Sequence, residues 1–247
     1  MKKKTDRSPG IFLKTEFIPD KRIERRALDE LRSAGLLPDT PGPVAIDRFC
    51  DMKWGRPESY EEMRPGVLGC AAFTVRGFDH IAISAELERD YSQTGRRRVR
   101  STMAHEIGHA LLHERLFVEK LMFDQNQGLL FGEMERRPAG KPARETRIVC
   151  RDTDIFGGRA APSPWYEIQA NKFMAAALLP KPLFYQVVEP FLLRYDPATS
   201  RLNDKIRYQG KIEEVSDIFD VSREMARIAV ETYMDKERDK RLEPSLF

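Results

Sequence analysis

The chain is predicted to be an α+β protein, with a small mixed or antiparallel sheet packed on helices. Three observations lead there. Residues 66–85 hold two apolar runs around a glycine-containing turn, the signature of a hairpin. Residues 99–113 and 165–179 carry apolar side chains at helical spacing, and residues 211–234 carry two more such stripes separated by Asp220-Val221-Ser222.

Taken in order, residues 1–20 are basic, contain Pro9, Gly10 and Pro19, and are expected to be a loose lead-in. Asp20 supplies an N-cap signal before Ile23, Ala27, Leu28 and Leu31, which predicts a helix ending near Gly35 and Pro38. Asp39-Thr40-Pro41-Gly42-Pro43 is a turn-rich linker, and residues 44–49 open a short strand or helix entry. Arg96-Arg97-Arg98 is expected as a solvated first turn of the following helix. Residues 124–164 are broken by glycine and proline and are expected as an irregular insert, a mobile flap or recognition element, with Thr146–Cys150 as one short strand. Trp165–Leu179 is a strong helix stopped by Pro180, and residues 182–195 continue as a helical segment broken at Pro190. Helix, turn and helix at residues 211–234, with Ser222 as N-cap, is similar to half of a helix-turn-helix. The recognition positions Arg223, Glu224 and Arg227 mix charges, so packing is the expected role and DNA binding the minor one. The expected organisation is residues 1–42 as lead-in and first helix, 43–198 as the main domain, and 199–247 as a helical segment packed on it.

Composition agrees with a soluble globular chain: 247 residues, 41% apolar and 33% charged. A net charge of +3 is too small to argue for nucleic-acid binding. No apolar run approaches the ~18 residues that span a bilayer. The basic Met1–Lys4 is followed by polar residues rather than the apolar core of a secretory signal. Cys50, Cys70 and Cys150 lack C-x-x-C spacing, so reduced thiols in a cytoplasmic protein are expected.

The chemistry concentrates in Met103–His113. His105 and His109 stand one helical turn apart on one face, so both imidazoles can reach one metal ion. Glu106 follows the first histidine and is placed to take a proton from water at the open coordination position. Gly108 lets another backbone come close. Three of the four histidines fall within these residues. A catalytic site needs a third protein ligand. His113 lies a further turn along, and three histidines in a row cannot converge on one ion when each turn rises about 5.4 Å. His113 is therefore expected as structural support. The metzincin alternative fails because Leu112 and Arg115 stand where glycine and histidine are needed. A carboxylate remains: Glu114 points away on the same helix, Glu133, Glu135 and Glu145 lie in the insert, and Glu167 lies on the next well-defined helix, sharing a face with Asn171.

The run His105-Glu106-Ile107-Gly108-His109-Ala110-Leu111-Leu112-His113, followed by Glu167-Ile168-Gln169-Ala170-Asn171-Lys172-Phe173 and Leu178-Leu179-Pro180, resembles the ImmA/IrrE metallo-endopeptidases. Their pattern is H-E-x-G-H-x-x-L-H, then E-x-x-A-N-x-F before L-L-x-P, where this chain has Ala177-Leu178-Leu179-Pro180. Phe219-Asp220-Val221-Ser222 also looks like the start of their F-x-V-S-x-x-A segment, with Met225 at the alanine position and Ala226 next, so the resemblance covers about residues 44–230. It implies a zincin-like fold and zinc held by His105, His109 and Glu167, with Glu106 as catalytic base. It also implies a bacterial or phage cytoplasmic protease whose substrate is a helix-turn-helix repressor or a neighbouring antitoxin-like regulator. The chain departs from compact members of the family in the length between His109 and Glu167. The substrate is expected to lie extended along a sheet edge, with His80–Ser84 as the candidate strand. Tyr166 and His80 are the candidate partners of the scissile carbonyl. The alternative is a regulatory DNA- or repressor-binding protein in which the metal is structural.

Overall fold

The computed structural model describes residues 12, 14–56, 58–130, 146–151, 164–192 and 204–242. It is a mixed α+β structure in which a small sheet packs on helices. Helix α1 (Asp20–Ser33) buries Ile23, Ala27 and Leu31, one residue per turn. Pro19 holds its cap position; Asp20 lies inside the first turn and pairs with Lys172 at 2.6 Å instead of capping. Gly35, at φ +67°, ends the helix in the left-handed region where a Cβ is costly. Residues 44–49 resolve to a helix entry, a short 3₁₀ turn (Ile46–Arg48) running into α2 (Phe49–Trp54).

The sheet has the order β1-β3-β2-β4, with β1 Ser59–Glu61, β2 Val67–Thr74, β3 Gly77–Ser84 and β4 Thr146–Arg151. The expected hairpin is β2–β3, antiparallel, and the expected strand within the insert is β4, antiparallel to β2 on its other side. The parallel strand β1 covers β3 from Ala82 to Ser84. Among the described residues β3 is therefore an interior strand, covered at Ala82–Ser84, and the edges are β1 and β4. The expectation of a substrate edge at β3 is overturned.

A short α3 (Ala85–Glu88) leads to α4 (Gln93–Leu130), which runs 38 residues and crosses one face of the sheet. It outruns its expected end, so the insert expected from residue 124 begins inside the helix. Leu116, Phe117 and Leu121 extend its apolar side, and Phe117 stacks on Phe73 of β2 with centroids 4.2 Å apart. Residues 131–145 and 152–163, with Glu133, Glu135 and Glu145, lie outside the described residues. Gly69 of β2 allows the sheet to close on this helix: a Cβ there would come within 2.7 Å of Thr102 Cγ2.

On the far side of α4 lies α5 (Trp165–Leu178), and α6 (Lys181–Leu192) follows. Pro190 does not break α6: the helix runs through it to Leu192, the last described residue of this stretch. Helices α7 (Asp204–Phe219) and α8 (Arg223–Leu242) complete the described fold. One core gathers Ile23 and Leu31 of α1, Ile81 and Ile83 of β3, Ile107 of α4, Phe173 of α5, and Val215 and Val230 of α7 and α8.

Two expectations fail for the same reason: burial supplies partners that residue type alone does not reveal. Arg97 is 9% exposed rather than solvated. Its guanidinium donates to Asp220 at 2.9 Å, Asp217 at 3.0 Å, Ser216 Oγ at 3.0 Å and the Ser216 carbonyl at 3.1 Å. It thereby pins the α7–α8 turn to the start of α4. The lead-in is docked as well, because Phe12 is buried against Phe117, Trp165 and Tyr166. Ser222 does cap α8, accepting the Met225 amide at 3.1 Å.

Two substitutions test these contacts by denaturant unfolding. Gly108→Val is expected to destabilise by about 1–3 kcal/mol, since overpacking there meets backbone. Ser222→Ala is expected to cost about 1 kcal/mol through the lost cap.

Candidate metal centre

Helix α4 presents His105, Glu106 and His109, all fully buried, and α5 presents Glu167 at 5% exposure. The helices meet closely because Gly108 lacks a side chain. A Cβ at that position would lie 3.1 Å from Phe173 Cβ and 3.2 Å from both Cα and O of Ala170. The glycine of the motif thus sets the separation at which an α5 carboxylate meets two α4 imidazoles.

Three atoms converge. His105 Nε2 and His109 Nε2 are 3.0 Å apart, and Glu167 Oε2 lies 3.0 Å from the first and 3.4 Å from the second. Bonds of about 2.0–2.1 Å in a tetrahedral zinc site place ligand atoms about 3.3–3.4 Å apart. The observed separations are close to that edge, slightly contracted. His105 Nδ1 lies 3.0 Å from Asn171 Oδ1. An amide oxygen only accepts, so this ring carries its proton on Nδ1 and a lone pair on Nε2. A lone pair therefore faces a carboxylate oxygen, an arrangement that a cation relieves. The chemistry of the donor set fits a metal ion.

The charges are consistent with that fit. Burial works to raise the pKa of the Glu167 carboxyl, but the His109 and His105 imidazoles beside it lower it by more, and it is held well below the usual range. Burial first, then the proximity of His109, pushes the His113 imidazole down to about 3, so the ring is neutral. As expected, His113 serves as support and does not join the converging set. Its Nδ1 lies 3.0 Å from His109 Nδ1 and its Nε2 3.0 Å from Gln169 Oε1.

Glu106 and His105 also form a buried group with Cys150 of β4, their ligand-type atoms all within 4.8 Å of one another. Cys150 is the register partner of Gly69 in the β2–β4 pair. No spacing in the sequence signals this cysteine, because its proximity depends on strand pairing. Cys50 has no such company, and burial followed by Glu58 pushes its thiol up to about 12. Glu114 is turned away as expected, its carboxylate accepting the Phe78 amide at 2.8 Å. His80 is not among the converging groups; it pairs with Asp79 at 2.8 Å and lies 3.6 Å from Glu61. Strand alternation puts it on the sheet face opposite Ile81. Tyr166 is closer, its ring centroid 6.3 Å from that of His109.

Added zinc is expected to raise the unfolding temperature of the wild-type chain, since a ligand that binds only the folded state stabilises it. The increment should vanish in Glu167→Ala; an equal rise in both chains in differential scanning calorimetry would refute the assignment of this ligand. In comparisons with known proteins, no family model, no curated relative and no solved structure matches this chain.

Proposed function

We propose that the chain is a zinc-dependent endopeptidase of the ImmA/IrrE type, built on a zincin-like arrangement, that hydrolyses a peptide bond in a protein substrate. The observation that carries this is the buried convergence of His105, His109 and Glu167 with Glu106 one residue from the first ligand. Two nitrogens and one carboxylate oxygen are a donor set that suits zinc and leaves a coordination position for chemistry. When bound, the ion supplies Lewis acidity toward a carbonyl and toward water.

The protein's own groups do the rest. His105 and His109 offer neutral nitrogen lone pairs, and Glu167 contributes the negative charge that keeps the ion in place. Glu106 accepts the proton of the attacking water and hands it to the departing amine. Burial keeps bulk solvent from competing for either carboxylate. An extended substrate segment adds to the outer edge of β4, which pairs with no described strand and carries Cys150 beside Glu106. The substrate class, a helix-turn-helix repressor or adjacent regulator, follows from the resemblance in the two motifs.

The alternative, a DNA-binding regulator with a structural metal, draws little from the α7–α8 pair. Arg227 is tied to Glu224 at 2.9 Å and to Glu231 at 2.6 Å, and Arg223 lies 3.2 Å from Glu213. These cations are exposed but paired with neighbouring carboxylates, which offsets the charge they would offer to phosphate.

Glu106→Gln is expected to retain zinc while losing about 10²–10⁴ in cleavage rate, because the amide cannot take the proton. The comparison is made by metal analysis alongside cleavage of a purified repressor encoded beside this chain. Undiminished cleavage would remove Glu106 from the mechanism, and salt-sensitive promoter binding without any proteolysis would favour the alternative.

A further inference from the structure

Gln169 stands at the head of a directional hydrogen-bond chain that ends at the metal centre. Its Nε2 donates to the backbone carbonyl of Glu16 at 2.8 Å, which turns Oε1 toward His113 Nε2 at 3.0 Å. Because that oxygen only accepts, His113 donates from Nε2. A buried neutral imidazole has one proton, so His113 Nδ1 is then an acceptor. His109 Nδ1, 3.0 Å away, must donate to it. The proton of His109 is thereby fixed on Nδ1, and its Nε2 lone pair faces His105 Nε2 and Glu167 Oε2.

Reversing the amide reverses the whole chain. With Nε2 of Gln169 facing His113, each donor becomes an acceptor, and His109 ends with its proton on Nε2, where the cation would sit. The Glu16 carbonyl is the contact that selects between the two directions, since it can only accept. Glu16 belongs to the docked N-terminal segment. Phe12 packs 4.7 Å from Phe117, 5.1 Å from Tyr166, 5.7 Å from Trp165 and 6.4 Å from His113, measured between ring centroids. Arg115 pairs with Glu16 at 2.7 Å and Lys14 with Glu119 at 2.9 Å.

We propose that Gln169 and His113 are positioning residues that couple docking of the N-terminal segment to the tautomer of His109, and so to metal retention. The inference rests on the metal site proposed above. A metal-competent His109 requires a bare Nε2, and the segment around Phe12 and Glu16 enforces it from a distance. An undocked segment leaves Gln169 free to turn and the centre free to hold a proton in place of an ion.

The test combines zinc affinity, by chelator competition, with histidine tautomers read from ¹H–¹⁵N NMR of the metal-free full-length chain. Wild-type His109 is expected to carry its proton on Nδ1. Phe12→Ala is expected to weaken zinc binding by about 10–100-fold, the usual effect of losing a ligand's hydrogen-bonded support. Adding Gln169→Glu to Phe12→Ala is expected to restore affinity, because a carboxylate can only accept from His113 whichever way it turns. A merely structural role for Phe12 would not be rescued in this way. An Nε2 proton on wild-type His109, unchanged affinity in Phe12→Ala, or no rescue by Gln169→Glu would each overturn the proposal. A wild-type chain that binds no zinc would defeat the metal site itself, and the tautomer measurement on metal-free protein would still decide the relay.

Discussion

The close approach of α4 and α5 across Gly108 and Ala170 is the constraint on which the centre depends. A Cβ at Gly108 would lie 3.1–3.2 Å from Phe173 Cβ and the Ala170 backbone, tighter than ordinary contact, so a side chain there would press the two helices apart. Fixing that distance decides which side chains meet. Residues one turn apart on α4 face the first turn of α5, so Glu167 reaches two imidazoles at once and Asn171, a turn later, orients one of them. The same contact brings Gln169 to His113.

Around this contact the fold is arranged to hold α4 still. The sheet closes on one side of it through Gly69, whose missing side chain admits Thr102, and β4 brings Cys150 near Glu106. Arg97 ties its first turns to the α7–α8 junction, where Asp220 adopts φ +48° and presents its carboxylate to the guanidinium. Farther along, Phe117 stacks on the sheet and Phe12 closes the aromatic cluster. Sheet, C-terminal pair and N-terminal segment thus grip different stretches of one helix.

Local pattern and long-range pairing differ in how much of this they reveal from sequence. Helical period and the β2–β3 turn are local properties, so the main helices and hairpin were legible, as were the two histidines of a single turn. Glu167 was legible because it stands at a helix start with few competing acids in regular structure. The roles of Cys150, Gln169 and Phe12 were not, since each depends on a partner dozens of residues away. Arg97 misled because a run of three arginines has the composition of a solvated surface, and only the α7–α8 junction makes its middle member a buried anchor. Pro190 misled in the opposite sense: proline disfavours a helix interior, yet α6 passes through it.

Sealing all three ligand side chains beneath packed helices has a kinetic corollary. An ion lodged there would be held by three buried side chains, none of which can swing aside alone, so its residence time would follow local opening of the fold as well as the strength of the coordinate bonds. A chelator in the surrounding medium would then strip the centre at one rate whatever its concentration, once reclosure is outpaced.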